Sequence, residues 1–395
     1  MNEKWFNHPN AKLIILAGIF ILVFLVPFSD PKINLAVNEA LMMLQEYARE
    51  HVLLCLIPAF FIAGAIMVFL NQQAVTRYLG PKANKFLAYS VASVSGAILA
   101  VCSCTVLPLF KGIYKKGAGI GPAVSFLYSG PAINILAIVL TAKVLGAQLG
   151  LARAVGAVIF AFLIGLLMHF IYRKDDEKRL TDEKLFQSIS DDSSRSLLQN
   201  VIYLFSMVGI LVFVNWAPSK GQLPVWDFIY KAKYFITAGF GVILIFALVS
   251  WFKKDELKEW IIATRDFTLQ ILPLLFGGVI LAGFLLGRPG HDALIPSEWI
   301  TRLVGDNSIM SNFIASISGA FMYFATLTEV PIMQGLIGSG MAKGPSLALL
   351  LSGPSLSLPS ILVIGSELGV KKTITYVGLV IVMSTLAGMG YGLIT

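Results

Sequence analysis

Residues 92–146 read ASVSGAILAVCSCTVLPLFKGIYKKGAGIGPAVSFLYSGPAINILAIVLTAKVLG. Moved forward by 223 positions they fall without a gap on residues 315–369, ASISGAFMYFATLTEVPIMQGLIGSGMAKGPSLALLLSGPSLSLPSILVIGSELG. The match runs through residues that chance apolar similarity does not preserve. These are the Ser-Gly-Ala triplets at 95 and 318, Pro108 and Pro331, Gly112 and Gly335, the Gly-Pro pairs at 121 and 344, and Ser-Gly-Pro at 129 and 352. Internal repeats precede every other inference about fold, and this one is a duplication. Inside it, two polar strings interrupt apolar sequence: Cys102 to Pro108 and Ser129 to Asn134.

The surroundings are those of a membrane protein. Of 395 residues, 57% are hydrophobic and 13% charged, with a mean hydropathy of +0.80. Soluble domains carry about 25% charged residues. Apolar runs of about 20 residues, enough to cross a bilayer, recur along the whole chain. The net charge of +8 therefore points to basic cytoplasmic loops and does not suggest nucleic acid as a partner. Three cysteines, Cys55, Cys102 and Cys104, lie in or beside apolar segments and form no disulfide framework. The stretch from Leu13 to Val26 has no small-x-small cleavage site and is followed by Pro27 and Asp30, which predicts a retained helix.

Full spans are expected at about 12–28, 52–70, 122–142, 151–172, 197–217, 232–252, 268–287, 345–364 and 373–394. The repeated segments 86–110 and 311–333 are too short for two crossings, and each is interrupted near its end by a proline-containing string. If both dip in and return, and the N-terminus is cytoplasmic, 20 of the 30 Lys and Arg residues fall inside. That set includes Lys111, Lys115 and Lys116 and six residues between Arg173 and Arg195. The expected architecture is an all-α polytopic membrane protein with two inverted-topology repeats, about nine full spans and two re-entrant or broken segments. Ten or eleven full spans are the alternative if those segments cross. The units are 1–172, the first repeat; 173–196, a charged cytoplasmic linker read as solvated; 197–217, a connecting span that inverts the second half; and 218–395, the second repeat.

In such a plan the solute site lies near the midplane, where broken segments meet. Pro108 and Pro331 disfavour helix before them, and Gly130-Pro131 and Gly353-Pro354 break the helices that come next. Cys102 and Cys104, interleaved with Ser103 and Thr105, converge only on unwound backbone, since residues two apart on a helix point away from each other. Thiolates there suit copper(I), zinc or trivalent arsenic, and small apolar packing is the bland reading of the same residues. Glu329 replaces the repeat's Val106 and is an acid within an apolar segment, a candidate for proton coupling or for holding a cation. Ser129, Asn134, Ser352, Ser355 and Ser357, with Thr326 and Thr328, offer hydroxyls and one amide at matched depth, for solute or for helix contacts. The histidines (His8, His51, His169 and His291) show no paired-ligand spacing, and no phosphate-binding GxxxxGK[ST] string occurs.

The run from Cys102 through Asn134 resembles the signature of the bacterial predicted-permease family that includes the organoarsenical (ArsP-type) efflux permeases. The matching positions are Cys102, Cys104, Pro108 and Leu109, then Gly117, Gly121 and Phe126, then Gly130 to Asn134. The resemblance implies a multi-pass inner-membrane permease and, in studied relatives, export of trivalent organoarsenicals, with metal efflux proposed for others. A three-thiolate arsenic site on this chain would require Cys55 to join Cys102 and Cys104. The expected function is thus a secondary permease exporting a small soft solute, with arsenical resistance as its physiological face. Rivals are a membrane thiol oxidoreductase cycling Cys102 and Cys104, a transporter of sulfur-containing or other small solutes, and a channel. No cofactor is expected; the partners are membrane lipid, the small-molecule or metalloid substrate, and a second copy in a homodimer.

Overall fold

The computed structural model describes residues 30–69, 78–80, 83–99, 103–181, 196–216, 224–288, 291–295, 303–322, 329–338 and 340–395, with isolated positions before residue 30. Among the described residues the secondary structure is helical and holds no strand. The chain begins with α1 (Pro31–Tyr47), which runs through a π-helical segment (Ala48–Leu56) into α2 (Ile57–Phe69). Next come α3 (Lys85–Leu99), α4 (Ser103–Lys115), α5 (Ile120–Ala132), α6 (Ile135–Val144) and α7 (Ala147–Thr181). After α8 (Leu197–Val214) and α9 (Pro224–Trp251) stand α10 (Lys254–Leu286), α11 (Ile309–Phe321) and α12 (Glu329–Gly338). The last three are α13 (Lys343–Ser352), α14 (Leu358–Leu368) and α15 (Val370–Ile394).

The duplication is written into these boundaries. The starts of α1, α5, α6 and α7 at residues 31, 120, 135 and 147 recur 223 positions later at 254, 343, 358 and 370, the starts of α10, α13, α14 and α15. Turn geometry recurs with them. Gly117 and Gly340 take positive φ (97° and 103°), as do Gly146 and Gly369 (108° and 80°), conformations that cost a residue with a Cβ. Among the described residues, neither α8 nor α9 has a counterpart in the other half.

Close packing repeats as well. α5 crosses α7 and α13 crosses α15 through glycine pairs at equivalent positions. A Cβ on Gly165 would stand 2.8 Å from the Gly121 carbonyl oxygen, and one on Gly388 would stand 2.6 Å from that of Gly344. Small residues let membrane helices approach in this way. Because α5 and α13 are surrounded on every side, every residue of α5 is buried, as is Gly344–Ser352 of α13.

Four helices are long and apolar enough to cross a membrane alone: Ala147–Asp176, Trp226–Trp251, Lys254–Leu286 and Val370–Ile394. Ile120–Ala132 and Ala137–Val144, bent by 45°, make a fifth if taken as one broken span. Shorter apolar helices (Ile57–Phe69, Leu198–Val214, Ile309–Phe321 and Leu358–Leu368) add to these. The chain is therefore a multi-pass membrane protein, while the expected span at 12–28 lies outside the described residues apart from isolated positions. Large exposed side chains on α9, among them Phe235, Val242 and Val249, fit a lipid-facing surface.

Two expectations need correction. The stretch beginning at residue 173 is not wholly a solvated linker: α7 kinks at Tyr172 and continues to Thr181. Its Asp176 is buried and accepts the Ile120 amide hydrogen at 2.5 Å, and Arg179 donates to the carbonyls of Tyr114 (2.8 Å) and Ala118 (2.5 Å). The start of α5 and the end of α4 need such partners, and α7 supplies them. The polar string is also helical from Ser103 onward, with Pro108 inside α4. Proline there removes one hydrogen bond, the one the Cys104 carbonyl would accept, without undoing the turns on either side.

Candidate functional site

The two Ser-Gly-Pro breaks meet at the centre. Tyr128 donates its hydroxyl to the carbonyl of Leu351 at 2.9 Å, and Leu351 is its own equivalent 223 positions on. Ser355 donates to the Tyr128 carbonyl at 3.3 Å, and Tyr376 donates to the Ser355 carbonyl at 3.4 Å. Ser129 and Ser352, also equivalents, each donate back to the carbonyl three residues earlier, Phe126 and Leu349. α5 runs through Pro131 to Ala132 and breaks at Ile133, whereas α13 ends at the turn of Gly353, Pro354 and Ser355. Asn134 and Ser357 cap the helices that restart, accepting from the amides of Ala137 and Ser360 at 3.3 Å each. Capping accounts for part of what these two polar side chains do at this depth.

On either side of this centre, helices of one repeat pack on helices of the other: α6 against α12, and its counterpart seam, α4 against α14. The first seam carries Glu329. Its Oε2 accepts from Nη2 of Arg153 at 2.8 Å, and Nη1 of Arg153 donates to the Thr141 hydroxyl at 2.9 Å. Both charged side chains are sealed, at 0% and 1% exposure. Arg153 Nε and Glu329 Oε1 have no hydrogen-bond partner among the described residues. The second seam carries Lys111, which ion-pairs with Glu367 and donates to Gln270 of α10 at 2.6 Å. Phe267 of α10 lies 5.3 Å from the same ammonium.

Lys111, expected in a cytoplasmic basic turn, is buried instead, because α4 runs on to Lys115 and turns this residue toward α14 and α10. Among the expected site residues, Thr105 is buried in the first turn of α4, where Ser103 and Cys104 also lie. Pro331 lies in the first turn of α12, directly after Glu329 and Val330. Cys102, Thr326 and Thr328 lie outside the described residues, and the side chains of Cys55 and Cys104 are not described. No cluster of three or more His, Cys, Asp or Glu side chains suited to a metal ion occurs among the described residues.

The sequence reading missed Arg153, Thr141, Glu367 and the burial of Lys111, yet a signal was present. Under the repeat Arg153 corresponds to Tyr376, Glu329 to Val106, Lys111 to Gln334 and Glu367 to Val144. Each is an ionisable residue that breaks the duplication, and the four pair with one another across the seams.

The family model described as predicted permease (ArsP_1) matches residues 37–393. The chain belongs to that predicted-permease family. It is similar to UPF0718 protein MJ0584 of Methanocaldococcus jannaschii, with 44% identity over 92% of this chain and 96% of that protein. It is also similar to UPF0718 protein YraQ of Escherichia coli, at 20% identity over 77% of this chain and 66% of that protein. No solved structure matches it.

Proposed function

We propose that this chain is a secondary-type permease of the cytoplasmic membrane, its N-terminus cytoplasmic, that exports a small soft solute by rocking two inverted repeats against each other. The observation that carries the reading is the Glu329–Arg153 pair, sealed between repeats at a position where the duplication is broken on both partners. α8, at the expected connecting span, supports the inversion, since one extra crossing between two copies reverses the second. In this reading residues 86–110 and 311–333 are re-entrant. The solute path runs past Cys102, Ser103, Cys104 and Thr105, the two Ser-Gly-Pro breaks, and Thr326, Thr328 and Glu329. Glu329 takes and releases the coupled proton. Cys102 and Cys104 contact the soft atom of a trivalent organoarsenical, metalloid or metal species.

The test is growth of a metalloid-sensitive bacterium expressing the chain under trivalent organoarsenicals, arsenite, copper or zinc. Protection is expected, and Cys102→Ser, Cys104→Ser and Glu329→Gln are each expected to abolish it at unchanged protein level. Protection that survives both cysteine changes would remove the thiols from the path. No protection against any of these agents would overturn the soft-solute reading.

A further inference from the structure

Arginine keeps its proton at any physiological pH, so Arg153 is a fixed positive charge in an interior from which water is excluded. Such a charge persists only beside an anion. Arginine–carboxylate pairs are frequently bidentate, two parallel N–H groups meeting two oxygens. Here the contact is single, Nη2 to Oε2, and the adjoining donor Nε and acceptor Oε1 are buried without partners among the described residues. Thr141, which itself donates to the Ala137 carbonyl at 2.7 Å, holds Nη1 and fixes the plane of the fork. Among the described residues the fork therefore has an unused edge, and the Glu329 carboxylate is the one anionic group that neutralises it.

We infer that Arg153 binds an anionic solute, an oxyanion or carboxylate that takes the place of Glu329 on the guanidinium, and that Glu329 gives way by accepting a proton. This rests on the permease part of the reading above and not on its soft solute, since the solute here carries negative charge. A proton reaching Glu329 without an anion would strand Arg153 unpaired, and an anion arriving without a proton would place two negative groups on one cation. Each event alone is costly in an apolar interior, so the two occur together. A monovalent anion and its proton then move as a neutral pair, and a divalent one carries one net negative charge. The other charged groups on the helices packed around Glu329 are Lys143 at the end of α6, Lys343 at the start of α13, and the cluster from Arg173 to Arg179 beyond the kink of α7. The Tyr128 hydroxyl, on α5, is committed to the Leu351 carbonyl. Among the described residues, only Arg153 forms an ion pair with Glu329.

The experiment is titration calorimetry of the full-length protein in detergent with acetate, phosphate, sulfate and thiosulfate, each in two buffers of different ionisation enthalpy so that protons are counted. At least one of these anions is expected to bind with uptake of about one proton, its affinity falling about tenfold per pH unit on the alkaline side. Glu329→Gln should bind the same anion at least as tightly, with neither proton uptake nor pH dependence. Arg153→Lys should bind it more weakly. Since Arg153→Gln alone strands Glu329, the double variant Arg153→Gln/Glu329→Gln keeps the interior neutral, and it should fold and not bind.

The inference is overturned if none of the four anions binds the wild type, if binding takes up no proton, or if the double variant binds as the wild type does. Any of these results beside intact protection of cells would sink the anion site and leave the permease reading standing. Proton-linked anion binding without transport into vesicles would do the reverse.

Discussion

The two seams between the repeats share a backbone plan and differ in how completely their charges are satisfied. At α4 against α14, Lys111 has a carboxylate, an amide oxygen and an aromatic face around it, and Glu367 keeps 13% of its side chain exposed. At α6 against α12, where Glu329 meets Arg153 of α7, both partners are sealed and each keeps one buried atom without a partner among the described residues. Buried unsatisfied groups are rare in native proteins and ask for an explanation. A duplicated scaffold gives two equivalent seams, and each carries its ion pair at positions where the other copy has none. Divergence has made one a well-satisfied clamp and left the other with hydrogen-bonding capacity unspent, as a binding position requires.

The largest difference should appear when each cation is removed. Arg153→Met leaves a carboxylate buried with no counter-charge, a change that costs about 3–5 kcal/mol of stability. Lys111→Met leaves Glu367 close enough to water to be partly solvated, and the expected loss is roughly 1–3 kcal/mol. Unfolding of both variants in one detergent measures the gap. Adding Glu329→Leu to Arg153→Met should recover most of the loss, because replacing a whole buried pair by apolar groups is often neutral. Equal losses in the two single variants would mean that the seams are alike, and the distinction drawn from burial would fail.

What the sequence disclosed and what it withheld divide along the same line. Glycines and prolines fix turns locally, so Gly117, Gly130, Pro131 and their equivalents disclosed the breaks and the duplication without any knowledge of packing. Glu329 was legible because one acid within an apolar run stands out. Arg153 obeys the same rule, but it lies near the start of a long apolar helix, where a basic residue does not stand out. Lys111 was misplaced because a basic cluster after a proline looks like a turn, whereas α4 carries helix through Pro108 to Lys115. Which charge meets which is a property of the interface between repeats, and only a search for ionisable residues that break the duplication would have paired them.

Where the repeats agree, mutation should find them equal. Gly165→Ala pushes a methyl group against the Gly121 carbonyl, and Gly388→Ala pushes one against that of Gly344, at 2.8 and 2.6 Å. Backbone cannot yield as a side chain can, so each substitution should cost about 1–3 kcal/mol. Thermal unfolding that hurt one variant and spared the other would show that the two crossings, unlike their boundaries, have diverged.

The smallest expected difference lies where α3 and α11 begin. Neutral Asn84 caps α3, its side-chain oxygen accepting the Phe86 amide at 3.1 Å. At the start of α11 the capping group is Ser308, whose hydroxyl accepts the Ser311 amide at 3.1 Å and donates to exposed Asp306 at 2.8 Å. Ser311 also donates to Asp306. These donors, Ser311 foremost, hold the Asp306 carboxyl below the usual aspartate range. A carboxyl whose folded value is depressed adds stability that is complete above its unfolded value, near pH 4, and is lost as pH falls through the folded one. Asp306→Asn should therefore lower stability slightly at neutral pH and reduce the further loss below about pH 4, while Asn84→Ser should leave the acid limb unchanged. If the Asn84 variant altered that limb as much as the Asp306 variant, the acid sensitivity would come from the shared scaffold, and the charge at this one corner would not be its source.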